Sequence, residues 1–187
     1  MRLLAILSVI LFLAGCAETT LNTTRGPAYS DDFRLGRVMV LAQMPENARS
    51  AVEAKMVEML SKGGISTFRS RDVLPDLPEQ VDWNTGPQIR RFQEAARRGN
   101  ADSMLLLGGV STSSRYEWTG GFLAPSLLEH RKKHFGVRLY DLTSPNATWI
   151  AGGESQDSWL VSPSVFAGYV TEAVYAKLAE DGFLARR

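Results

Sequence analysis

The stretch "SMLLLGGVSTSS", residues 103–114, constrains the fold more than any other part of the chain. Met104 to Leu107 are four consecutive apolar residues ahead of a Gly-Gly pair, a pattern of an extended strand buried on both faces. Successive side chains of a strand point to opposite faces, so such a strand needs apolar cover above and below it. The neighbouring patterns supply that cover. "RVMVLAQ" (37–43) is a short apolar strand. Pro45 opens a helical pattern with Ala48, Val52, Met56, Met59 and Leu60 on one face, ended by Gly63-Gly64. "ISTFRSRDVL" (65–74) alternates as a second strand, and 87–100 reads as a helix with Ile89, Phe92 and Ala96 inward, stopped by Gly99-Asn100.

After 103–114 the grammar changes. "FGVRLYDLT" (135–143) and "ATWIAGGESQ" (147–156) are strands joined through Ser144-Pro145-Asn146 as a hairpin. Residues 162–183 form a last helix, with Ser162 as cap and Pro163 at its first position; Phe166, Val170, Ala173, Val174 and Leu178 make its apolar stripe. The expectation is one α/β (α+β) domain, a mixed β-sheet with helices packed on it in the order β-α-β-α-β-β-β-α. Two stretches stay without an assigned element: 75–87, with three of the eight prolines, and 115–134.

The amino terminus speaks about place. Met1-Arg2 is basic, Leu3 to Leu13 is apolar apart from Ser8, and small residues follow, as in a secretory signal peptide. Leu13-Ala14-Gly15-Cys16 resembles the lipobox of bacterial lipoproteins. The resemblance implies lipidation of Cys16 by a diacylglyceryl thioether, cleavage before it and acylation (palmitate) of the new terminus; Ala17 in place of Asp implies sorting to the outer membrane. The expected organisation is therefore a leader (1–15), a lipidated flexible tether rich in Thr (16–32) and a periplasmic domain (33–187), held at the inner leaflet of the outer membrane. Cys16 is the sole cysteine, so the folded part has no disulfide, thiolate or Cys-based metal site to draw on.

Charge excludes some classes. Of 21 Lys and Arg, only Arg2 lies in the leader, which leaves 20 against 20 Asp and Glu. A balanced body gives no reason to expect nucleic acid. "RRFQEAARR" (90–98) carries four arginines interleaved with Glu94 and reads as a solvated helix face.

"GNADSMLLLGGVSTSS" and "VRLYDLTSPNATWIAGGE" resemble the strand and hairpin of TolB amino-terminal domains and their relatives, among them the curli-secretion lipoprotein CsgG and the lipoprotein activators of penicillin-binding proteins. The likeness runs over roughly residues 37–180. It implies a non-enzymatic binding or assembly module of the cell envelope, acting on a protein partner or by self-association into a ring or secretion pore. The turn here is Ser-Pro-Asn without the usual Gly, and 115–134 has no counterpart in that group.

Catalytic chemistry finds no foothold in the sequence. His130 and His134 sit four apart, a spacing that on a helix would place two metal ligands on one face, but Arg131, Lys132 and Lys133 oppose a cation. The expected state is a solvated basic segment, with no metal and no cofactor. Ser111 to Ser114 lack a G-x-S-x-G turn and a carboxylate at a recognised spacing, so no serine hydrolase and no small-molecule substrate is expected. The contact candidates are instead aromatic: Arg115, Tyr116, Trp118, Phe122 and Leu123 in the 115–134 segment, and Trp83 in the 75–90 connection.

Overall fold

The computed structural model describes residues 19–76, 86–119, 126–157 and 162–184. Within them runs one six-stranded mixed sheet. Its strands are β1 (Thr19–Arg25), β2 (Arg37–Ala42), β3 (Ser66–Arg69), β4 (Ser103–Thr119), β5 (Ser126–Asp141) and β6 (Trp149–Asp157), in the spatial order β1-β6-β5-β4-β2-β3. Three helices pack on it: α1 (Glu46–Lys62), α2 (Gly86–Arg98) and α3 (Pro163–Glu180). β2 pairs in parallel with both β3 and β4, and the β4-β5-β6-β1 half is antiparallel. The expected mixed α+β domain is present, and its elements follow the expected order with one strand, β1, added in front.

The parallel half follows from the crossover helices. α1 links β2 to β3 on one face and α2 links β3 to β4 on the other, so the central strands are covered twice. Their side chains divide accordingly. Val38, Val40, Ala42, Leu105 and Leu107 join the core under α1 and α3, while Met39, Leu41, Met104 and Leu106 join the core under α2. All nine are at most 1% exposed. The continuous apolar runs are thus two interleaved faces, each alternate residue serving a different core.

Helix ends match their sequence signals. Ser162 caps α3 by accepting from the Val165 N–H at 3.4 Å, with Pro163 in the first turn. Gly64 (φ 85°) and Asn100 (φ 57°) take the left-handed conformation that ends α1 and α2. Gly109 (φ 66°) accompanies the bulge between Gly108 and Ser111 that shifts β4 against β5.

Three expectations change. The strand foreseen over 65–74 stops at Arg69. Ser70–Asp72 turn into a 3-10 helix because the buried Ser70 hydroxyl donates to the Glu53 carboxylate at 2.7 Å, while Asp72 takes the Arg69 N–H at 3.1 Å. The segment expected as a flexible tether, 16–32, is built into the fold wherever it is described. Residues 19–25 are edge strand β1 against β6, Gly26 donates to the Thr148 carbonyl at 2.8 Å, and Tyr29 and Phe33 meet the buried Phe183 ring edge-on at 6.2 and 6.1 Å. Alternation of Leu21 and Thr23 toward the core, with Asn22 and Thr24 outward, makes the polar stretch a half-covered strand. The third change, in 115–134, bears on the site.

Candidate functional site

β4 and β5 pair with each other over most of their length. Their ladder continues past the bulge through nine further pairs, from Ser111↔His134 to Thr119↔Ser126; among the described residues β6 accompanies β5 to Arg131↔Asp157. Of the segment expected to have no element of its own, residues 115–119 and 126–134 are therefore strand, paired as a ribbon. Its alternation is broken by charges, which hides it from a search for period two. Register places Arg115 opposite His130, Tyr116 opposite Glu129 and Trp118 opposite Leu127. Phe122, Leu123 and Trp83 lie outside the described residues, as does Cys16.

The same register corrects the reading of the histidines. His130 and His134 lie on a strand, where four residues span about 13 Å, too far apart for two ligands of one metal. Among the described residues no group of three His, Cys, Asp or Glu is placed to hold a metal ion.

At the base of the ribbon the sheet assembles a polar array that the sequence does not announce. Ser113 Oγ lies 2.8 Å from His134 Nε2, and His134 Nδ1 lies 3.3 Å from Glu154 Oε1. The members come from β4, β5 and β6, at sequence distances that no local motif encodes. The order hydroxyl, imidazole, carboxylate is that of a nucleophile with its base and orienting acid. The surroundings differ from such a site. Lys132 Nζ donates to the other oxygen of Glu154 at 3.1 Å, and its hydrogen bond and charge hold that carboxyl below its ordinary range. The side chains of His134 and Glu154 are 39% and 48% exposed on an open sheet face, where water screens charge. The array can relay a proton; it lacks the enclosure in which a developing charge is strongly stabilised.

A second polar group is buried. Glu53, fully inaccessible in α1, accepts from the Ala42 N–H (3.1 Å) and the Ser70 hydroxyl (2.7 Å), with Arg49 Nε 3.5 Å away. Burial raises its carboxyl above the ordinary range despite these partners. It fastens α1 to the end of β2 and to the turn after β3. Periodicity misses it because position 53 lies beside Val52 on a helix otherwise read as apolar inward.

No family model matches the chain. Among solved structures, it is similar to a point-variant PelC dodecamer from Paraburkholderia phytofirmans, with 18% identity, a TM-score of 0.50, and cover of 90% of this chain and 100% of that one. A second PelC dodecamer from the same organism gives 0.49 at 19% identity, covering 91% and 100%. Lipoprotein GNA1162 from Neisseria meningitidis gives 0.44 at 18%, covering 78% and 99%. The first of these likenesses shows a shared fold. A curated match is T-complex protein 1 subunit beta of Saccharomyces cerevisiae, 31% identical over 98 residues, which span 52% of this chain and only 18% of that protein. A shared segment of that extent does not define a family.

Proposed function

We propose that the chain is a lipid-anchored, non-enzymatic binding and assembly module of the bacterial cell envelope, held by Cys16 at the inner leaflet of the outer membrane with its domain in the periplasm. The observation that carries the reading is Leu13-Ala14-Gly15-Cys16 directly after a basic and apolar leader. An anchor of several acyl chains holds stably where a single chain is marginal. Among the described residues no helix is long and apolar enough to cross a membrane, and a lipid would supply the attachment. In this reading the β4–β5 ribbon, with Arg115, Tyr116 and Trp118, presents the contact surface.

The second reading is self-association into a ring. It is favoured by the fold shared with a dodecamer and by a β4–β5 ribbon with five pairs, Arg115 to Thr119, beyond the last described β6 pair. Nine pairs approach the 9–11 residues of a membrane-spanning strand. Yet both alternating sets of ribbon residues include charges, Arg115, Glu117 and Lys132 in one and Glu129, Arg131 and Lys133 in the other. A lipid-facing strand needs one apolar set. The ring we propose is thus a surface assembly, not a bilayer-spanning barrel.

Metabolic labelling with a fatty acid tests the anchor: wild type carries label and sediments with membranes, and Cys16→Ser loses both. A labelled Cys16→Ser protein would overturn it. Mass in detergent separates the two readings, a ring giving a multiple of the chain and a partner-binding module a monomer. Tyr116→Ala with Trp118→Ala abolishes assembly or partner capture in each case, with the circular dichroism of the domain unchanged.

A further inference from the structure

Among the described residues the sheet face under α2 is only half covered, and where that helix begins a cleft of about 410 Å³ opens. Its floor is the β5–β6 ladder, with Arg138 and Tyr140 two apart on β5 and Ile150 directly opposite Arg138. The first turn of α2 forms one wall through Gly86, Ile89 and Arg90, and the β5–β6 connection forms the other through Pro145 and Ala147.

Three observations give this cleft a preference. Among the described residues no Asp or Glu lines it, while two guanidinium groups do. The first turn of the 13-residue α2 contains no acidic side chain, so the positive end of that helix is left uncompensated by its own residues. Tyr140 is 3% exposed and lines the cleft, yet among the described residues its hydroxyl has no hydrogen-bond partner. Arg90 is exposed and joins no ion pair among the described residues, and Arg138 adds positive charge while keeping a contact of its own. A second polar cleft among the described residues, about 370 Å³, sets Arg25 against Glu180 and Asp181 and has no such bias.

We infer that the cleft at the start of α2 binds a carboxylate carried on a small apolar body. Arg90 pairs with the carboxylate, the Tyr140 hydroxyl donates to it, and Ile89, Ile150 and Pro145 hold the hydrocarbon. The volume lies at the lower end of small-ligand sites, enough for a ring acid or one terminal residue of a peptide. This adds a small-molecule or chain-end ligand where no motif in the sequence points to one.

The test is titration of the full chain in detergent micelles with N-acetylleucine, benzoate, N-acetylleucinamide and inorganic phosphate, followed by calorimetry and amide chemical shifts. At least one of the two acids binds, shifting residues around Ile89 and Ile150. The neutral amide and the phosphate bind at least about tenfold more weakly. Arg90→Ala, an exposed position that does not endanger the fold, lowers affinity about tenfold, and Tyr140→Phe lowers it severalfold. Binding of N-acetylleucine alone identifies a peptide terminus, and binding of benzoate alone a free organic acid. Equal binding of acid and amide, phosphate as tight as the acids, unchanged affinity in Arg90→Ala, or no binding of either acid at millimolar concentration would each overturn the inference. Its outcome is independent of the anchor, since Cys16→Ser leaves the cleft intact.

Discussion

The two faces of the sheet differ more than the sequence suggests. One is closed. α1 and α3 lie side by side over it, and a single core runs from Leu35 through Val174 to Phe183. Among the described residues the other carries α2 alone, over β2 and β4, and leaves the rows of β5 and β6 beyond that helix uncovered. Adjacent residues of β6 record the contrast: Trp149 is 1% exposed and donates its indole N–H to Asp181 at 2.6 Å, whereas Ile150 is half-buried on the floor of a cleft. The larger of the two buried clusters lies on the closed face. Exposed chemistry, both the Ser113–His134–Glu154 array and the arginine-lined cleft, lies on the open one. A sheet half-covered on one side keeps binding groups accessible without weakening its core.

Substitutions on the two faces give a graded series that can break this picture. Trp149→Ala removes a fully buried indole and is expected to cost about 4 kcal/mol in denaturant unfolding, against about 1 kcal/mol for Ile150→Ala. Similar costs for the two would dissolve the distinction between the faces. Glu53→Leu strands Arg49, Ser70 and the Ala42 N–H beneath α1 and is expected to cost about 3 kcal/mol.

The same residue carries a pH signature. Its folded-state carboxyl is raised by burial, so the folded protein keeps this proton to higher pH than the unfolded chain does. Its contribution is full below the ordinary carboxylate range and is lost as pH rises from there through the raised folded value. Stability measured across that interval falls in the wild type, and Glu53→Gln flattens the fall.

Gly26→Ala probes the edge of the closed face. A Cβ there would collide with the Ala147 carbonyl oxygen, so the backbone must shift, at about 2 kcal/mol. No loss would mean that β1 and the turn after it contribute little to the fold. The smallest effect belongs to the open face. Ser113→Ala and His134→Ala are expected to change stability by no more than about 0.5 kcal/mol, because both side chains are substantially exposed. A larger loss would make the array a structural support.

The helices and central strands were legible because their signals are local: a cap and proline at Ser162-Pro163, glycines after α1, and unbroken apolar runs at 38–42 and 104–107. The ribbon was not, since charges at Glu117, Glu129 and Arg131 interrupt the alternation that marks a strand. Neither was β1, whose Thr-rich composition reads as a linker until β6 is seen beside it. Candidate contact residues Arg115, Tyr116 and Trp118 were expected in a loop and are found on a strand. Glu154, the orienting carboxylate for His134, lies twenty positions away on the next strand, a spacing only the β5–β6 register can convert into 3.3 Å.

By itself, then, the sequence determined the class of fold, the positions of its helices and the lipobox that suggests where the chain is held. These depend on periodicity and on short motifs, which act between neighbours along the chain. Tertiary structure alone decided which strands become neighbours, that one face stays half open, and that Arg90, Arg138 and Tyr140 meet at a cleft. Those outcomes depend on strand order and register, which bring together residues about fifty positions apart and leave no periodic trace in the sequence.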